Sequence, residues 1–438
     1  MTPKPKLKPS VTGLGVRLAD LAQVALGSLQ FSGSSRNRLS CDAHTGYHVG
    51  VSTELDVIVV GLGAMGSAAV YQLAKRGART LGIDQYTPPH IHGSSHGRTR
   101  ITRLAIGEGE QYVPLVLRSH ELWREIERET GEDLLTITGG LIIGSALAQR
   151  SHGAANFLHQ TIAAAKRYGI AHELLDAREI RRRFPAFAVR DDEHGYLEHD
   201  AGFLRPEACV SAQLKLAERH GAQLHRNERV LDIRPDGNEV RVTTNLGAYR
   251  AGRAVVTVGP WVGEFLPPSL GRHFTVYREV LYWFGVEGSI APYLCGAFPI
   301  FIRLSDRDAD ILYGFPAIDG PDGGVKVATE QFTVPTTAGA ARKDVGLDEI
   351  QAMQERVVGL LPGLRGSCIR ATPCLYTCTP DFGFAIDTLP DQPQILIASP
   401  CSGHGFKHSA AIGEAIAELI VHGRSTIDLG GFRLARFE

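Results

Sequence analysis

Residues 55–84 read LDVIVVGLGAMGSAAVYQLAKRGARTLGID, and this stretch decides the fold. Its first part, DVIVV, is a β-branched run typical of a strand that is buried on both faces. Gly61, Gly63 and Gly66 lead into a stretch with alanine and leucine at helical spacing, and TLGID then gives a second strand that ends in Asp84. Strand, glycine-rich turn, helix and strand in this order predict an α/β fold with a Rossmann-like domain.

Each glycine of this G-x-G-x-x-G pattern has a physical use. Gly61 permits the tight turn, Gly63 lets the backbone approach a pyrophosphate, and Gly66 brings the helix close to the strand. The helix N-terminus offers free N–H groups and a positive dipole end to the phosphates. Asp84, 18 residues after Gly66, is placed to accept hydrogen bonds from ribose hydroxyls, and it would repel a 2′-phosphate. The pattern predicts a dinucleotide other than NADP and leaves FAD and NAD open.

The rest of the chain does not continue as regular β-α-β units. Residues 87–112 form a long polar stretch with two prolines and three histidines, and such loops often carry function. Residues 227–261 alternate apolar and polar side chains with turn signals, which predicts a β-meander. Residues 394–423 are typical of a strand, a glycine-rich turn and a helix. Pieces of the cofactor domain are therefore expected at both ends of the chain, with another segment inserted between them.

Composition excludes several classes of protein. The net charge is −1 and 43% of the residues are hydrophobic, which gives no electrostatic case for nucleic acid or a membrane surface. No stretch approaches 18 uncharged apolar residues, so a membrane span is not expected. The seven cysteines are scattered and odd in number, which favours a reducing compartment, the cytoplasm, over a secreted disulfide framework. No ligand spacing for a metal site is present.

The first 53 residues differ from the rest. They begin with a Pro/Lys-rich segment and continue without hydrophobic periodicity, apart from one apolar run interrupted by Arg17 and Asp20. We expect a disordered extension in this part of the chain rather than a secretory signal.

Several motifs together carry a family resemblance. They are GSSHGRTRITRLAIGEGEQYVPLVLRSHELW, GFP followed by a lysine, CLYT, FAIDTLP, SGHGFKHS and FRLARF. In this combination the chain, from about residue 55 to its end, resembles the monomeric sarcosine oxidase and N-methyltryptophan oxidase family of FAD-dependent amine oxidases, which has the D-amino-acid-oxidase type of fold.

The resemblance implies a discontinuous FAD-binding domain and an inserted substrate domain built on an antiparallel sheet, which covers the flavin. The expected FAD-binding segments are 54–137, 200–265 and 366–425. The expected substrate-domain segments are 138–199 and 266–365, and residues 426–438 form a C-terminal tail.

The resemblance also implies a reaction. A secondary amine, most simply an N-methyl-L-amino acid, transfers a hydride to flavin N5, and the imine hydrolyses to formaldehyde and the demethylated amino acid. O2 reoxidises the flavin and gives H2O2, and the enzyme works as a monomer. Alternatives that stay open are an oxidase or dehydrogenase of cyclic imino acids such as pipecolate or proline, a non-catalytic flavin-binding protein, and an NAD-dependent dehydrogenase.

The family carries its flavin on the cysteine of C-x-Y, as a thioether to the 8α carbon, and that position here is Cys374. Taken alone, Cys374 would be one more small buried residue. Because a thiolate is the attacking form, we expect positive groups near it.

The same resemblance assigns the candidate catalytic residues. Arg103 and Lys407 would hold the substrate carboxylate, since arginine suits bidentate contacts and lysine acts as a point charge. Lys326 would activate oxygen, and Arg100 would place positive charge near the flavin ring. The two candidate active-site tyrosines, which would orient the amine, are Tyr313 and Tyr376.

The remaining cofactor contacts implied by the resemblance are His96, Thr99, Val230, Gly403, Gly405 and, again, Arg100 and Lys407.

Two positions depart from the family. Glu330 stands where a histidine is usual, so a carboxylate there would repel the substrate carboxylate or attract a cationic or larger polar substrate. Pro400 replaces a usual glycine and removes a backbone donor near the flavin.

Overall fold

A computed structural model of the chain describes residues 55–145, 151–305 and 310–437. The extension predicted for residues 1–53 lies outside these ranges. Within them the chain forms 20 strands and eight α-helices. The strands are β1 Leu55–Val60, β2 Thr80–Asp84, β3 Arg100–Thr102, β4 Leu135–Ile137, β5 Gly140–Gly144, β6 His172–Asp176, β7 His194–Glu198, β8 Gly202–Leu204, β9 Gln223–Arg226, β10 Val230–Asp236, β11 Glu239–Thr244, β12 Ala248–Val256, β13 Thr275–Phe284, β14 Ile300–Arg303, β15 Leu312–Gly314, β16 Val325–Ala328, β17 Pro335–Thr336, β18 Cys368–Cys378, β19 Ala385–Leu389 and β20 Gln392–Ser399. The helices are α1 Ala64–Lys75, α2 Val113–Thr130, α3 Phe157–Tyr168, α4 Ala177–Arg183, α5 Pro206–Arg219, α6 Pro268–Gly271, α7 Leu347–Val358 and α8 Ser409–His422.

The first sheet grows around β1, as the opening stretch predicts. Its strands run in the order β10-β11-β12-β1-β2-β9, and β20 pairs with β12 and with β19. The pairs of β1 with β2 and β12, and of β12 with β20, are parallel. Along β1, Val57 and Val59 pack into one hydrophobic core with α1 and α8, whereas Ile58 and Val60 pack into another on the opposite face. Burial on both faces explains why this strand is a continuous β-branched run.

The second sheet has the order β17-β13-β16-β15-β14-β5-β7-β6, with β18 paired to β13. All these neighbours are antiparallel except β5 and β14, which are parallel. Strand β18 lies in the segment predicted for the FAD-binding domain, 366–425, yet it pairs with β13 along this second sheet. The division into domains stays a prediction.

One face of the second sheet gathers side chains from three strands. Residues directly opposite each other on antiparallel strands project to the same face. The opposite pairs here are Trp283 with Lys326, Leu281 with Ala328, and Glu279 with Cys374. Leu281, Trp283, Ala328 and Cys374 form a small hydrophobic cluster, against which Tyr313 packs. This face carries many of the candidate site residues.

The C-terminal segment returns to the first helix. Helix α8 crosses α1 so closely that a Cβ added at Gly413 would lie 2.5 Å from the Cβ of Ala68. Small residues at the crossing therefore bring the turn that precedes α8 next to the turn that precedes α1. None of the helices in the described ranges combines the length and the hydrophobicity that a membrane span requires.

Candidate active site

The glycine-rich turn has the tight geometry that its pattern predicts. Gly61 has a φ of 85°, and a Cβ there would lie 2.8 Å from the carbonyl oxygen of Thr257. A Cβ at Gly66 would lie 1.7 Å from the carbonyl oxygen of Gly61. At Gly63 the nearest atom is Ser95 Oγ, at 3.4 Å. Two of the glycines are therefore required by packing within the protein, whereas Gly63 leaves space in front of the helix N-terminus.

Asp84 is buried at the end of β2 and has two backbone partners. Its Oδ2 accepts a hydrogen bond from the Leu62 N–H at 2.7 Å, and its Oδ1 accepts one from the Tyr86 N–H at 2.8 Å. A carboxylate offers about four lone-pair sites, so acceptor capacity remains. Asp84 thus also fixes the glycine-rich turn, and the predicted contact to a ribose stays a prediction.

A large cleft opens in front of this turn. It is lined by Gly61, Gly63, Asp84 and Val230, among other residues. FAD requires a turn without side chains and a helix N-terminus for its pyrophosphate, and an acceptor at the end of β2 for its ribose. The residues present fit this cofactor.

Cys374 lies beside a guanidinium group. Its side chain is buried, and Arg100 Nη2 approaches its Sγ at 3.3 Å. The same Nη2 donates to Ser94 O at 2.8 Å, and Nη1 donates to Thr99 O at 2.9 Å. Arg100, from the short strand β3, is therefore held by backbone oxygens with its guanidinium group next to the thiol.

Lys326 is buried on the same face of the second sheet. Its Nζ donates to Gly97 O at 2.7 Å, Thr99 O at 2.8 Å and Thr99 Oγ1 at 3.1 Å. Burial, with Arg100 nearby, lowers the pKa of Lys326 well below its ordinary value. The three oxygen acceptors match the three N–H bonds of an ammonium group, so the site suits an amine that holds or releases a proton.

The histidine predicted near the cofactor, His96, is buried. Burial, with the charge of Arg100, lowers the pKa of His96 to about 4, so the imidazole is neutral at physiological pH. Its Nε2 has no hydrogen-bond partner among the described residues. His96 is not among the residues that line the dinucleotide cleft or the cavity around Arg103, and its predicted contact with the cofactor stays a prediction.

The two candidate tyrosines meet. The hydroxyl groups of Tyr313 and Tyr376 are 3.0 Å apart. A Cβ added at Gly403 would lie 3.0 Å from the ring of Tyr376, and one at Gly405 would lie 1.7 Å from the carbonyl oxygen of Pro400. The turn before α8 therefore needs both glycines in order to pack. The backbone of Pro400 leaves no room for a side chain at position 405.

The first member of the predicted carboxylate clamp is already paired. Arg103 is buried, and its Nη2 donates to Glu108 Oε2 at 2.5 Å, while Nη1 donates to Ala105 O at 2.5 Å. Arg103 Nε is buried and has no hydrogen-bond partner within the described part of the chain. Burial alone would raise the pKa of Glu108, but Arg103 and Lys407 hold it well below its usual range. The arginine is therefore fixed by one carboxylate and keeps a free donor.

The second member, Lys407, faces the same carboxylate. Its Nζ donates to His404 O at 2.9 Å and lies 3.7 Å from Glu108 Oε1. Burial lowers the pKa of Lys407 to about 8, although Glu108 opposes this shift. Arg103 and Lys407 thus converge on Glu108, as two cations that share one partner.

Glu330 lines the same cavity as Glu108, Arg103 and Lys407. It pairs with His152, a residue that the sequence analysis did not assign to the site. Its Oε1 is 2.9 Å from His152 Nε2, and its Oε2 accepts from the His152 backbone N–H at 3.3 Å. Burial would lower the pKa of His152, but Glu330 and Glu108 raise it above its ordinary value. No local pattern marks His152, because it comes from a loop 178 residues away from Glu330. Glu108 stands within a quoted motif, but its contact with Arg103 follows only from the fold.

These side chains surround one cavity. Its charged lining residues are Arg100, Arg103, Glu108, His152, Lys326, Glu330 and Lys407. Arg100, Tyr376, Gly403 and Phe406 line both this cavity and the larger cleft, so the two spaces adjoin. In the described ranges no group of three or more His, Cys, Asp or Glu side chains is arranged to hold a metal ion.

Comparison with known proteins shows the family to which the chain belongs. Residues 56–419 match the family DAO, described as FAD dependent oxidoreductase. The chain is 41% identical to monomeric sarcosine oxidase of Streptomyces avermitilis over 383 residues, which are 87% of this chain and 97% of the relative. It is 36% identical to N-methyl-L-tryptophan oxidase of Yersinia pestis over 386 residues, covering 88% of this chain and all of the relative.

Among solved structures, the open form of NikD, an unusual amino acid oxidase essential for nikkomycin biosynthesis, superimposes with a TM-score of 0.75. The identity is 26%, and the match covers 87% of this chain and 98% of NikD. The predicted fold class and the predicted family are both confirmed. The chain belongs to the family of FAD dependent oxidoreductases.

Proposed function

We propose that the protein is an FAD-dependent oxidase of secondary amines that acts on N-methyl-L-amino acids with O2 as acceptor. The observation that carries this proposal is a buried cavity lined by four basic side chains, next to the dinucleotide cleft. The relatives named monomeric sarcosine oxidase and N-methyl-L-tryptophan oxidase support the substrate class. The products would be H2O2, formaldehyde and the demethylated amino acid.

Bound FAD supplies the electron acceptor for the substrate C–H bond and the electron donor for O2. The chain's own groups would bind and orient the substrate. Arg103 and Lys407 would hold the carboxylate, with the free Nε of Arg103 as one donor. The hydroxyl pair of Tyr313 and Tyr376, 3.0 Å apart, would orient the neutral amine. The surrounding burial excludes water and strengthens each of these polar contacts.

We further propose that Cys374 carries the flavin covalently. The proposal is supported by the burial of its thiol and by Arg100 Nη2 at 3.3 Å, which stabilises a thiolate. Cys401 also lines the cleft, and burial raises the pKa of its thiol, which disfavours a thiolate at that position.

Lys326 is the candidate for assisting the reaction with O2. It is held by Gly97 and Thr99 beside Arg100, and it lines the cavity. A positive charge at this position stabilises negative charge that develops on oxygen. A non-catalytic flavin-binding protein would have no need of these buried cations, each of which is costly to desolvate.

The six cysteines within the described ranges are all free thiols. This supports the further proposal of a cytoplasmic location, since reducing conditions keep thiols unpaired. The name of the relative, monomeric sarcosine oxidase, supports a monomer.

An oxidase screen tests the proposed function. Purified holoenzyme in air is mixed with sarcosine, N-methyltryptophan, pipecolate or proline, and H2O2 and formaldehyde are measured. We expect equal amounts of H2O2 and formaldehyde from an N-methyl amino acid. Oxidation of pipecolate or proline alone, without formaldehyde, would instead establish the cyclic imino acid alternative.

A further inference from the structure

The substrate cavity has an acidic part that the proposed reaction does not use. The side chains of Glu108 and Glu330 are 4% and 1% exposed, and both line the cavity. His152 lies between them, with Nε2 at 2.9 Å from Glu330 Oε1 and Nδ1 at 3.8 Å from Glu108 Oε1. Two buried carboxylates around one imidazole are costly unless they serve the occupant of the cavity.

Several acceptor sites in this part are unused. Glu330 receives hydrogen bonds only from the ring and the backbone of His152 within the described residues, which leaves about two of its four lone-pair sites. Glu108 Oε1 is buried and has no hydrogen-bond partner in the described ranges. Because His404 Nε2 bonds to Phe382 O at 3.1 Å, its Nδ1 is an acceptor, and this atom too is buried without a partner. His404 Nδ1 and Glu108 Oε1 are 4.0 Å apart.

The balance of charge shows what kind of donor is missing. Arg100, Arg103, Lys326, Lys407 and His152 line the cavity together with only two carboxylates, those of Glu108 and Glu330, so basic groups outnumber acidic ones. A cationic group on the substrate side chain would meet this excess of basic groups. The missing donor is therefore uncharged.

The other donors in the lining have partners or roles of their own. Arg103 and Lys407 would hold the substrate carboxylate, and the hydroxyls of Tyr313 and Tyr376 bond to each other. Arg100 and Lys326 are hydrogen-bonded to backbone oxygens of the segment 94–99. Ile302, Phe315 and Phe406 are apolar and surround the body of the substrate. A donor that satisfies the unused acceptors must therefore come from the substrate itself or from water.

We propose that Glu330, Glu108 and His404, with His152 as the positioning residue between the two carboxylates, form an acceptor subsite for an uncharged hydrogen-bond donor on the substrate side chain. The preferred substrates are N-methyl-L-amino acids whose side chain carries a hydroxyl or a carboxamide. This inference rests on the proposed function for its reaction and goes beyond it in naming the side chain.

Matched substrates test the subsite in the unmodified holoenzyme. The pairs are N-methyl-L-threonine with N-methyl-L-valine, and N-methyl-L-glutamine with N-methyl-L-methionine, which differ mainly in the donor. We expect kcat/KM to favour the polar member at least tenfold in one or both pairs, because a site built for a donor discriminates against an analogue that lacks it. Ratios within twofold in both pairs overturn the proposal.

A binding measurement separates the subsite from the reaction. 4-Hydroxybutyrate and pentanoate have the same number of heavy atoms, carry the carboxylate and cannot react as amines. Their dissociation constants are obtained from changes in the flavin absorbance of the holoenzyme, and we expect the hydroxy acid to bind at least fivefold more tightly. If no N-methyl amino acid is oxidised but this preference is present, the proposed function fails and the subsite stands. Equal binding, together with oxidation that shows no polar preference, leaves the function standing and removes the subsite.

Two variants locate the preference. Glu330→Met keeps the side-chain volume and removes the acceptors, so the ratio of kcat/KM between the polar and the apolar substrate should fall towards 1. Glu330→Gln retains one acceptor and should restore part of this ratio.

The control is Glu279→Gln, because Glu279 is a buried acid on the same sheet face that does not line the cavity. Burial raises the pKa of Glu279 well above its usual value, and the substitution keeps the size of the side chain. A ratio that changes equally in Glu330→Met and Glu279→Gln contradicts the assignment.

Discussion

The dinucleotide cleft and the substrate cavity adjoin, but they are built in different ways. The cleft owes its form to backbone and to absent side chains, since Gly61 and Gly66 have no room for a Cβ. The cavity is formed by buried charged side chains that neutralise one another, such as Arg103 with Glu108 and His152 with Glu330. Changes in the cleft should therefore act through shape and abolish binding, whereas changes in the cavity should act through charge and alter rates in graded steps.

The largest effect is expected at Gly66. In Gly66→Ala the added Cβ would lie 1.7 Å from the carbonyl oxygen of Gly61, so the turn cannot keep its form. We expect purified protein with almost no bound FAD, measured as flavin absorbance per chain. Gly247→Ala is the control, because nothing lies within 4 Å of a Cβ there. Full flavin content in Gly66→Ala would show that the turn is not part of the cofactor site.

The next effect is the complete loss of the proposed covalent bond to the flavin, in a variant that keeps its fold. Cys374→Ala should bind FAD that is released into the supernatant when the protein is precipitated with acid, whereas the unmodified protein keeps it. Cys401→Ala, at the other thiol of the cleft, should keep its flavin. Flavin that leaves the Cys401 variant and stays with the Cys374 variant would reverse the assignment.

Lys326→Met should slow the reaction of the reduced enzyme with O2 by about 10²–10³-fold, the usual effect of removing one stabilising group for developing charge. Anaerobic reduction by substrate should change much less. Stopped-flow absorbance measures the two half-reactions separately. Arg370→Met is a matched control, since Arg370 also lies against the ring of Trp283 but does not line the cavity. Equal slowing of both half-reactions would contradict the oxygen role.

Arg103→Met should lower kcat/KM for N-methyl amino acids about 10–100-fold, because a hydrogen bond between charged groups contributes about 1.5–3 kcal/mol. Amines of similar size without a carboxylate should lose much less. The exposed Arg98, which pairs with Asp319 at 2.6 Å, provides the control Arg98→Met. The clamp would be ruled out by the same loss for both classes of amine.

The smallest effect is a pH dependence. Burial lowers the pKa of Lys407 to about 8, so its positive charge is present below this pH and is lost as the pH rises through it. The affinity of the holoenzyme for acetate should therefore fall by up to tenfold per pH unit above about pH 8, while Arg103 stays charged. In Lys407→Met this decline should be weaker. An unchanged decline would assign the titration to another group.

Much of the cleft follows from the sequence because its chemistry is local. The strand, turn and helix of residues 55–84 are contiguous, and the spacing of the glycines alone indicates a dinucleotide. The contacts of the cavity are not local. Glu108 and Arg103 are only five residues apart in the sequence. Glu330 and His152 are 178 residues apart, and no periodicity in either segment predicts that they are in contact. Strand β18, which the sequence analysis places in the FAD-binding segment, pairs with β13 in the second sheet. The two strands are far apart in the sequence, so no local pattern indicates this pairing.

The most direct test of the account is an anaerobic titration of the purified holoenzyme with sarcosine or N-methyltryptophan, followed by admission of air. We predict that the yellow absorbance bleaches with one equivalent of substrate, that hydrolysis of the resulting imine gives one equivalent of formaldehyde, and that air then restores the absorbance with one equivalent of H2O2. A flavin that stays oxidised in the presence of excess substrate would contradict the central claim that the basic cavity presents an N-methyl amino acid to the cofactor in the cleft.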